Sequence, residues 1–167
     1  MVALGGCYNQ IMKLQLLSVG KPRQTGLSEA ANAYLTRLKR YVRFEDVNVR
    51  EERSGKGTRP SDIVRKEGER ILGRLNSDAY VVVLDGDGKA VTSKELAAKI
   101  DQLTGNRSDT VFVIGGAFGL DEAVLRRANW SWSLSAQTYP HELARVMVLE
   151  QLYRAHTILR GEPYHKE

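Results

Sequence analysis

Apolar residues fall along this chain in short blocks of two alternating kinds. Leu14-Gln15-Leu16-Leu17-Ser18-Val19 reads as a strand closed by Gly20 and Pro22. Leu27, Ala31, Tyr34, Leu38 and Tyr41 then recur at helical spacing, behind a cap expected at Thr25 or Ser28. Phe44 to Val49 forms a second strand pattern, and Arg53 to Pro60 a basic, glycine-containing loop expected to be mobile. Ser61 is placed to cap a helix whose buried stripe is Ile63, Val64, Ile71, Leu72 and Leu75, with Gly68 weakening it from inside.

The second half repeats the alternation. Tyr80-Val81-Val82-Val83-Leu84 is a continuous apolar run, as a parallel strand covered on both faces requires. Asp85-Gly86-Asp87-Gly88 is expected to turn the chain, and Thr92 with Glu95 has capping-box spacing for a helix to about Leu103. Val111 to Ile114 is the fourth strand, followed by a glycine loop and a short helix carrying Leu120, Val124, Leu125 and Ala128. Trp132 to Ser135 is the fifth strand, and a last helix runs from near His141 to Arg160, stopped by Gly161 with Pro163 beyond. Five strand-helix repeats predict an α/β fold: a parallel sheet with helices on both faces.

The last helix spreads Leu143, Val146, Met147, Leu149, Leu152, Tyr153, Ala155 and Ile158 around much of its circumference. A surface helix shows one apolar stripe. The excess points to a second subunit, hence a homodimer.

Composition narrows the class. Apolar residues make up 42% and charged residues 27%, as in a folded domain, and no apolar run approaches the roughly 20 residues of a membrane span. Cys7 is the only cysteine, so no intramolecular disulfide can form. Met1 to Ile11 carries no charge and no periodicity, which argues against a secretory signal. We expect residues 1–11 to be a disordered extension, residues 12–167 to be a single domain, and the protein to be cytoplasmic. The net charge of +5 is concentrated in the first half: Lys21 to Leu75 holds 14 Lys and Arg against 8 Asp and Glu. That asymmetry suits a polyanion such as RNA, whose phosphates would displace counterions there.

Most familiar motifs are excluded. Gly116 and Gly119 fit part of a dinucleotide fingerprint, but Ile114 holds its first glycine position and the loop follows the fourth strand, not the first. No Lys-Ser or Lys-Thr pair follows it, so it is not a phosphate loop. A calcium loop from Asp85 would need ligands where Lys89 and Leu96 stand. His141, His156 and His165 lack paired metal-ligand spacing, so no metal site is expected. No serine has a nucleophile-elbow context. Two segments remain. Ser133 to Glu142 is a polar loop between a strand end and a helix, where open α/β sheets bind ligands. Pro163-Tyr164-His165-Lys166-Glu167 joins an aromatic, an imidazole and a cation, the groups an unpaired RNA base requires.

Taken together, several pieces carry a resemblance: Lys13-Leu14-Gln15-Leu16 with Val19-Gly20-Lys21, Lys66-Glu67-Gly68, Leu84-Asp85 with Gly88-Lys89, and Ile114-Gly115-Gly116 with Gly119-Leu120. Leu134-Ser135 with Thr138, Pro140-His141, Arg145-Val146, Tyr153-Arg154-Ala155 and Pro163-Tyr164-His165 complete it. From Met12 onward the chain resembles the ribosomal RNA large subunit methyltransferase H family, of the SPOUT class. The resemblance implies a three-layer sandwich with a C-terminal trefoil knot, and methylation of N3 of a pseudouridine in 23S rRNA on assembled ribosomes. It also implies a homodimer using S-adenosyl-L-methionine. By position, the cofactor falls to Leu84, Gly115, Gly116 and the loop Ser135, Ala136, Gln137, Thr138, Tyr139 and Pro140, with the tail of one subunit completing the pocket of the other. Arg154 is then a candidate electrostatic stabiliser, His165 a base or hydrogen-bond partner, and Tyr164 a stacking platform. Ala117-Phe118 in the glycine loop, and Gln137 and Tyr139 in the later one, could change contacts to the cofactor. The rival readings are an inert ribosome- or RNA-binding module of the same fold, and a flavin or nucleotide protein of doubly wound topology.

Overall fold

A computed structural model of the chain describes residues 12–165 other than residue 107. The extension expected at residues 1–11 lies outside the described residues, as do Lys166 and Glu167 of the tail. Ten elements alternate: β1 (Lys13–Val19), α1 (Thr25–Leu38), β2 (Arg43–Val49), α2 (Pro60–Leu72), β3 (Tyr80–Ala90), α3 (Ser93–Gly105), β4 (Thr110–Ile114), α4 (Glu122–Arg127), β5 (Trp130–Ser133) and α5 (His141–Leu159). The five strands form one sheet in the order β2-β1-β4-β3-β5, and every pairing is parallel.

Side-chain parity divides the core. Leu14, Leu16, Val82, Phe112 and Ile114 join the cluster that α1, α3 and α5 cover. Leu17, Val19, Val81, Val83, Val111 and Val113 join the cluster under α2 and α4. Because successive strand residues face opposite ways, a strand between two helix layers must be apolar throughout, and β4 is buried at all five positions. The expected three-layer arrangement is what the chain adopts.

Several boundaries differ from the pattern, each for a physical reason. The α1 helix starts at Thr25 with Gln24 as an N-cap lacking a side-chain bond, so Thr25 and Ser28 lie inside it. The cap comes instead from across the fold: Glu142, in the first turn of α5, accepts the backbone N–H of Arg23 (3.1 Å) and Gln24 (3.0 Å). The Gln24 bond is the chief reason its carboxyl lies below the usual range, against the opposing effect of burial. Pro60 opens α2 behind Arg59, using its fixed φ at a position needing no N–H, so Ser61 is internal too. Tyr41 follows the end of α1 and its hydroxyl donates to Glu162.

The segment Asp85-Gly86-Asp87-Gly88 does not end its strand. Leu84 and Lys89 both pair with Trp132, so these residues form a bulge inside β3. A Cβ on Gly88 would stand 2.7 Å from the Ser131 carbonyl, a closeness only glycine permits. The fifth strand begins two residues earlier than its pattern suggested, because Trp130 pairs with Val82 and stacks on Trp132 at 5.8 Å. The capping box of Thr92 and Glu95 is present at α3.

Gly68, a weakness by helix propensity, is a packing requirement. A Cβ there would lie 2.5 Å from the Cβ of Asp121, the residue whose carboxylate caps α4 through the Ala123 N–H at 2.8 Å. The last helix lies on the sheet beside α1 and α3, and these neighbours account for much of its broad apolar surface. Leu143 and Met147 remain partly exposed and Leu159 is exposed. Arg145 of α5 is buried and forms a two-pronged ion pair with Asp46 of β2, with Nη1 to Oδ1 at 3.0 Å.

Candidate functional site

The C-terminal ends of β4 and β5 and the bulge of β3 meet around a cavity of about 790 Å³. That is where an open parallel sheet leaves room for a ligand, and the size suits a nucleoside-bearing molecule. Its walls come from three segments: Leu84 to Gly86, Ile114 to Leu120, and Trp132 to Ala144 apart from a few residues.

The glycine loop is shaped by close approaches. Gly119 has φ +86°, and its N–H donates to the Gly116 carbonyl at 3.1 Å. A Cβ on Gly115 would meet the Gly119 carbonyl oxygen at 2.8 Å, and one on Gly116 would meet Glu67 Oε2 at 2.5 Å. The later loop is tied to itself. Ser133 Oγ donates to the Ser135 carbonyl (2.8 Å), the Gln137 N–H donates to Ser135 Oγ (2.9 Å), and Ser135 Oγ and the Tyr139 hydroxyl are bonded at 2.8 Å. Both loops thus present a fixed backbone to the cavity.

Leu84, Gly115, Gly116, Ser135, Gln137, Thr138, Tyr139 and Pro140 all border this space; Ala136 does not. His141, within the polar loop read as a ligand position, borders it as well, and so do Asp85, Gly86, Trp132 and Ala144, which lay outside the expected set. Asp85 and Gly86 directly follow the buried run of β3, in the bulge just past Val83, where its pairing with β4 stops. Among the described residues, no group of three or more His, Cys, Asp or Glu could hold a metal ion, and no helix is long and apolar enough to cross a membrane.

The three residues expected to act on the substrate lie elsewhere. Arg154 donates through Nε (2.9 Å) and Nη2 (2.6 Å) to Glu150 Oε1, which also accepts the Tyr164 hydroxyl at 3.1 Å. The guanidinium lies 4.9 Å from the centre of the Tyr164 ring, which packs edge-on against Tyr153. Glu150 holds the Arg154 pKa above its ordinary value, and burial first, then hydrogen bonding, pushes the Tyr164 phenol up. His165 Nδ1 is buried with no hydrogen-bond partner. At about 1.5 Å per residue, His141 and Arg154 stand roughly 20 Å apart along α5. A single chain does not bring this trio to the cavity.

His156 sits close to the trio, stacked on Tyr41 at 5.8 Å with Nε2 unpartnered. Burial, helped by Arg160, lowers its pKa to about 4. In the unfolded chain it would titrate near 6.5, so below that pH the unfolded state binds the extra proton. The stability from keeping His156 neutral is present above about 6.5 and is lost as pH falls toward 4, by up to about 3 kcal/mol. Urea unfolding at pH 7.5 and pH 5 should show the loss, and His156→Phe, which keeps the ring, should flatten it. An unchanged slope in that variant would assign the pH dependence to another group.

The family model described as a predicted SPOUT methyltransferase matches residues 12–165. The tRNA (m1G37) methyltransferase of Aquifex aeolicus has the same fold, with a TM-score of 0.53 at 12% identity, covering 94% of this chain and 75% of that one. The class defined by fold and cavity position is therefore the SPOUT methyltransferases. Proteins named ribosomal RNA large subunit methyltransferase H are 41% identical in Enterococcus faecalis and 43% identical in Bacillus pumilus; each match covers 93% of this chain and 100% of the relative. The one from Clostridium acetobutylicum is 42% identical with the same coverage. This chain belongs to the ribosomal RNA large subunit methyltransferase H family.

Proposed function

We propose that this protein is a cytoplasmic, S-adenosylmethionine-dependent methyltransferase acting on N3 of a pseudouridine in 23S rRNA within the assembled ribosome. The observation that carries this reading is the cavity at the strand ends, walled by two loops of fixed backbone, in a chain whose full-length relatives bear an rRNA methyltransferase name. The glycine cradle fits such a cofactor: side chains at Gly115 or Gly116 could not be accommodated without displacing Gly119 or Glu67. Leu84, Gly116 and the 135–140 loop would hold it. When bound, it supplies a methyl group already activated by a positively charged sulfur.

The chain's remaining task is to align the base and free its N3 lone pair. An imide N–H is a weak acid, so a proton acceptor and a nearby cation both lower the barrier. We assign the acceptor role to His165, stabilisation of the N3 anion to Arg154, and stacking on the base to Tyr164. Glu150 fixes the last two side chains in one geometry. Because they lie far from their own cavity, the site is shared: the tail of a second copy completes it, in a homodimer built on α5. The trefoil knot of the class belongs to this reading, with the 134–140 loop as its site-forming part.

Mass spectrometry of rRNA from a strain lacking the gene, before and after adding protein and S-adenosylmethionine, tests the reading. A gain of one methyl on a single pseudouridine is expected. Calorimetry that finds no cofactor binding would favour the inert RNA-binding module instead.

A further inference from the structure

A second, smaller cavity of about 350 Å³ adjoins the glycine loop. Gly116, Ala117, Phe118 and His141 border both spaces. Three features of the smaller one stand out. Phe118 is 49% exposed, and it and Leu159 are the exposed large apolar side chains among the described residues. It is carried on a loop pinned by the Gly116–Gly119 bridge, so its exposure is built in. Burying it would recover free energy that the isolated fold forgoes.

The second feature is Glu67. Its side chain is 4% exposed and Oε1 accepts the Glu52 N–H at 2.9 Å, but Oε2 has no partner. A buried acceptor left empty is costly unless something supplies a donor. The third is the charge around it. Glu51 is paired with Arg23, and Glu52 with Lys66 and Arg70, which leaves Arg53 at the rim with no ion pair among the described residues. Arg53 also opens the basic loop 53–60.

An exposed aromatic face, an unmatched guanidinium and an orphaned buried acceptor together fit one ligand chemistry: a flat base bearing N–H donors on a phosphate backbone. Resting on the rRNA reading above, we propose that this cavity is a subsite for an unpaired nucleotide adjacent to the one that is methylated. Its base stacks on Phe118, its donor edge faces Glu67, and its phosphate pairs with Arg53. The reacting base must touch the methyl group in the larger cavity. Gly116, Ala117, Phe118 and His141 line both spaces, so the smaller one adjoins the larger and takes a neighbour in the strand.

The test is steady-state methylation of ribosomes from the deletion strain by Phe118→Ala, Phe118→Trp and Arg53→Gln, with calorimetric S-adenosylmethionine binding for each. Base–aromatic stacking predicts that Phe118→Ala raises KM for ribosomes by about tenfold or more, while Phe118→Trp stays near wild type. Arg53→Gln should lower the slope of log affinity against log salt by about one. An unmoved KM in Phe118→Ala, equal damage by alanine and tryptophan, or a loss of affinity confined to the cofactor would each overturn the subsite. A wild-type protein unable to methylate ribosomes would instead remove the rRNA reading, and this one with it.

Discussion

Replacing His165 with alanine is expected to reduce the turnover of rRNA methylation by about a hundredfold or more, with S-adenosylmethionine affinity kept within about twofold. The imidazole ring offers a nitrogen lone pair within the tail, and its Nδ1 is buried without a partner. Because His165 is not among the residues that wall the cavity, the substitution leaves that lining untouched within the chain. Mixing provides the sharper measurement. A Gly116→Val chain, whose side chain would collide with Glu67, should be inactive through its cavity; His165→Ala should be inactive through its tail. Co-folded, the two should regain activity, since one pocket of the hybrid pairs an intact cavity with an intact tail. No recovery in verified mixed dimers would place the whole site in one subunit.

The second large effect concerns stability. Arg145→Leu should cost about 2–4 kcal/mol in urea unfolding, because it strands the Asp46 carboxylate where burial already pushes its pKa up. The guanidinium side chain is 7% exposed and the carboxylate 20%, so water screens the pair only in part. Adding Asp46→Leu should recover most of the loss, since two apolar groups can replace a buried ion pair without leaving a charge behind. If the double variant is no better than the single one, Arg145 acts through packing of its stem rather than through charge.

Much of this organisation could be read from the residues. Continuous apolar runs at 80–84 and 111–114 announced strands covered on both faces, and the helical periods placed every helix. The caps were less legible. Thr25 and Ser61 have the right chemistry, but a carboxylate distant in sequence, Glu142, and a proline at the first helical position do the work. Pro60 is a local signal set against Ser61, whereas no local pattern encodes Glu142. Gly68 and Gly88 misled in the same way: propensity and turn rules see a weak helix and a turn, whereas the fold uses both for backbone approach to Asp121 and Ser131. The loop that walls the cavity was legible from its position after a strand, whereas Asp85 and Ala144 border the cavity from outside the expected set. The smaller cavity was invisible because its lining joins residues as far apart as Val19, Glu67 and Phe118.

The provenance of the cavity walls also fixes an order of assembly. Strands β1 to β4 can pair before β5 exists, although the face holding Leu16 and Phe112 is closed only when Val148, Leu149, Leu152 and Ala155 of α5 arrive. The ligand space cannot form then, because one whole wall is made of residues 132–144. During synthesis the chain passes through a stage with most of its sheet and no binding site. Donor binding can therefore stabilise only the finished molecule, and a chain truncated before Pro140 gains nothing from an excess of cofactor.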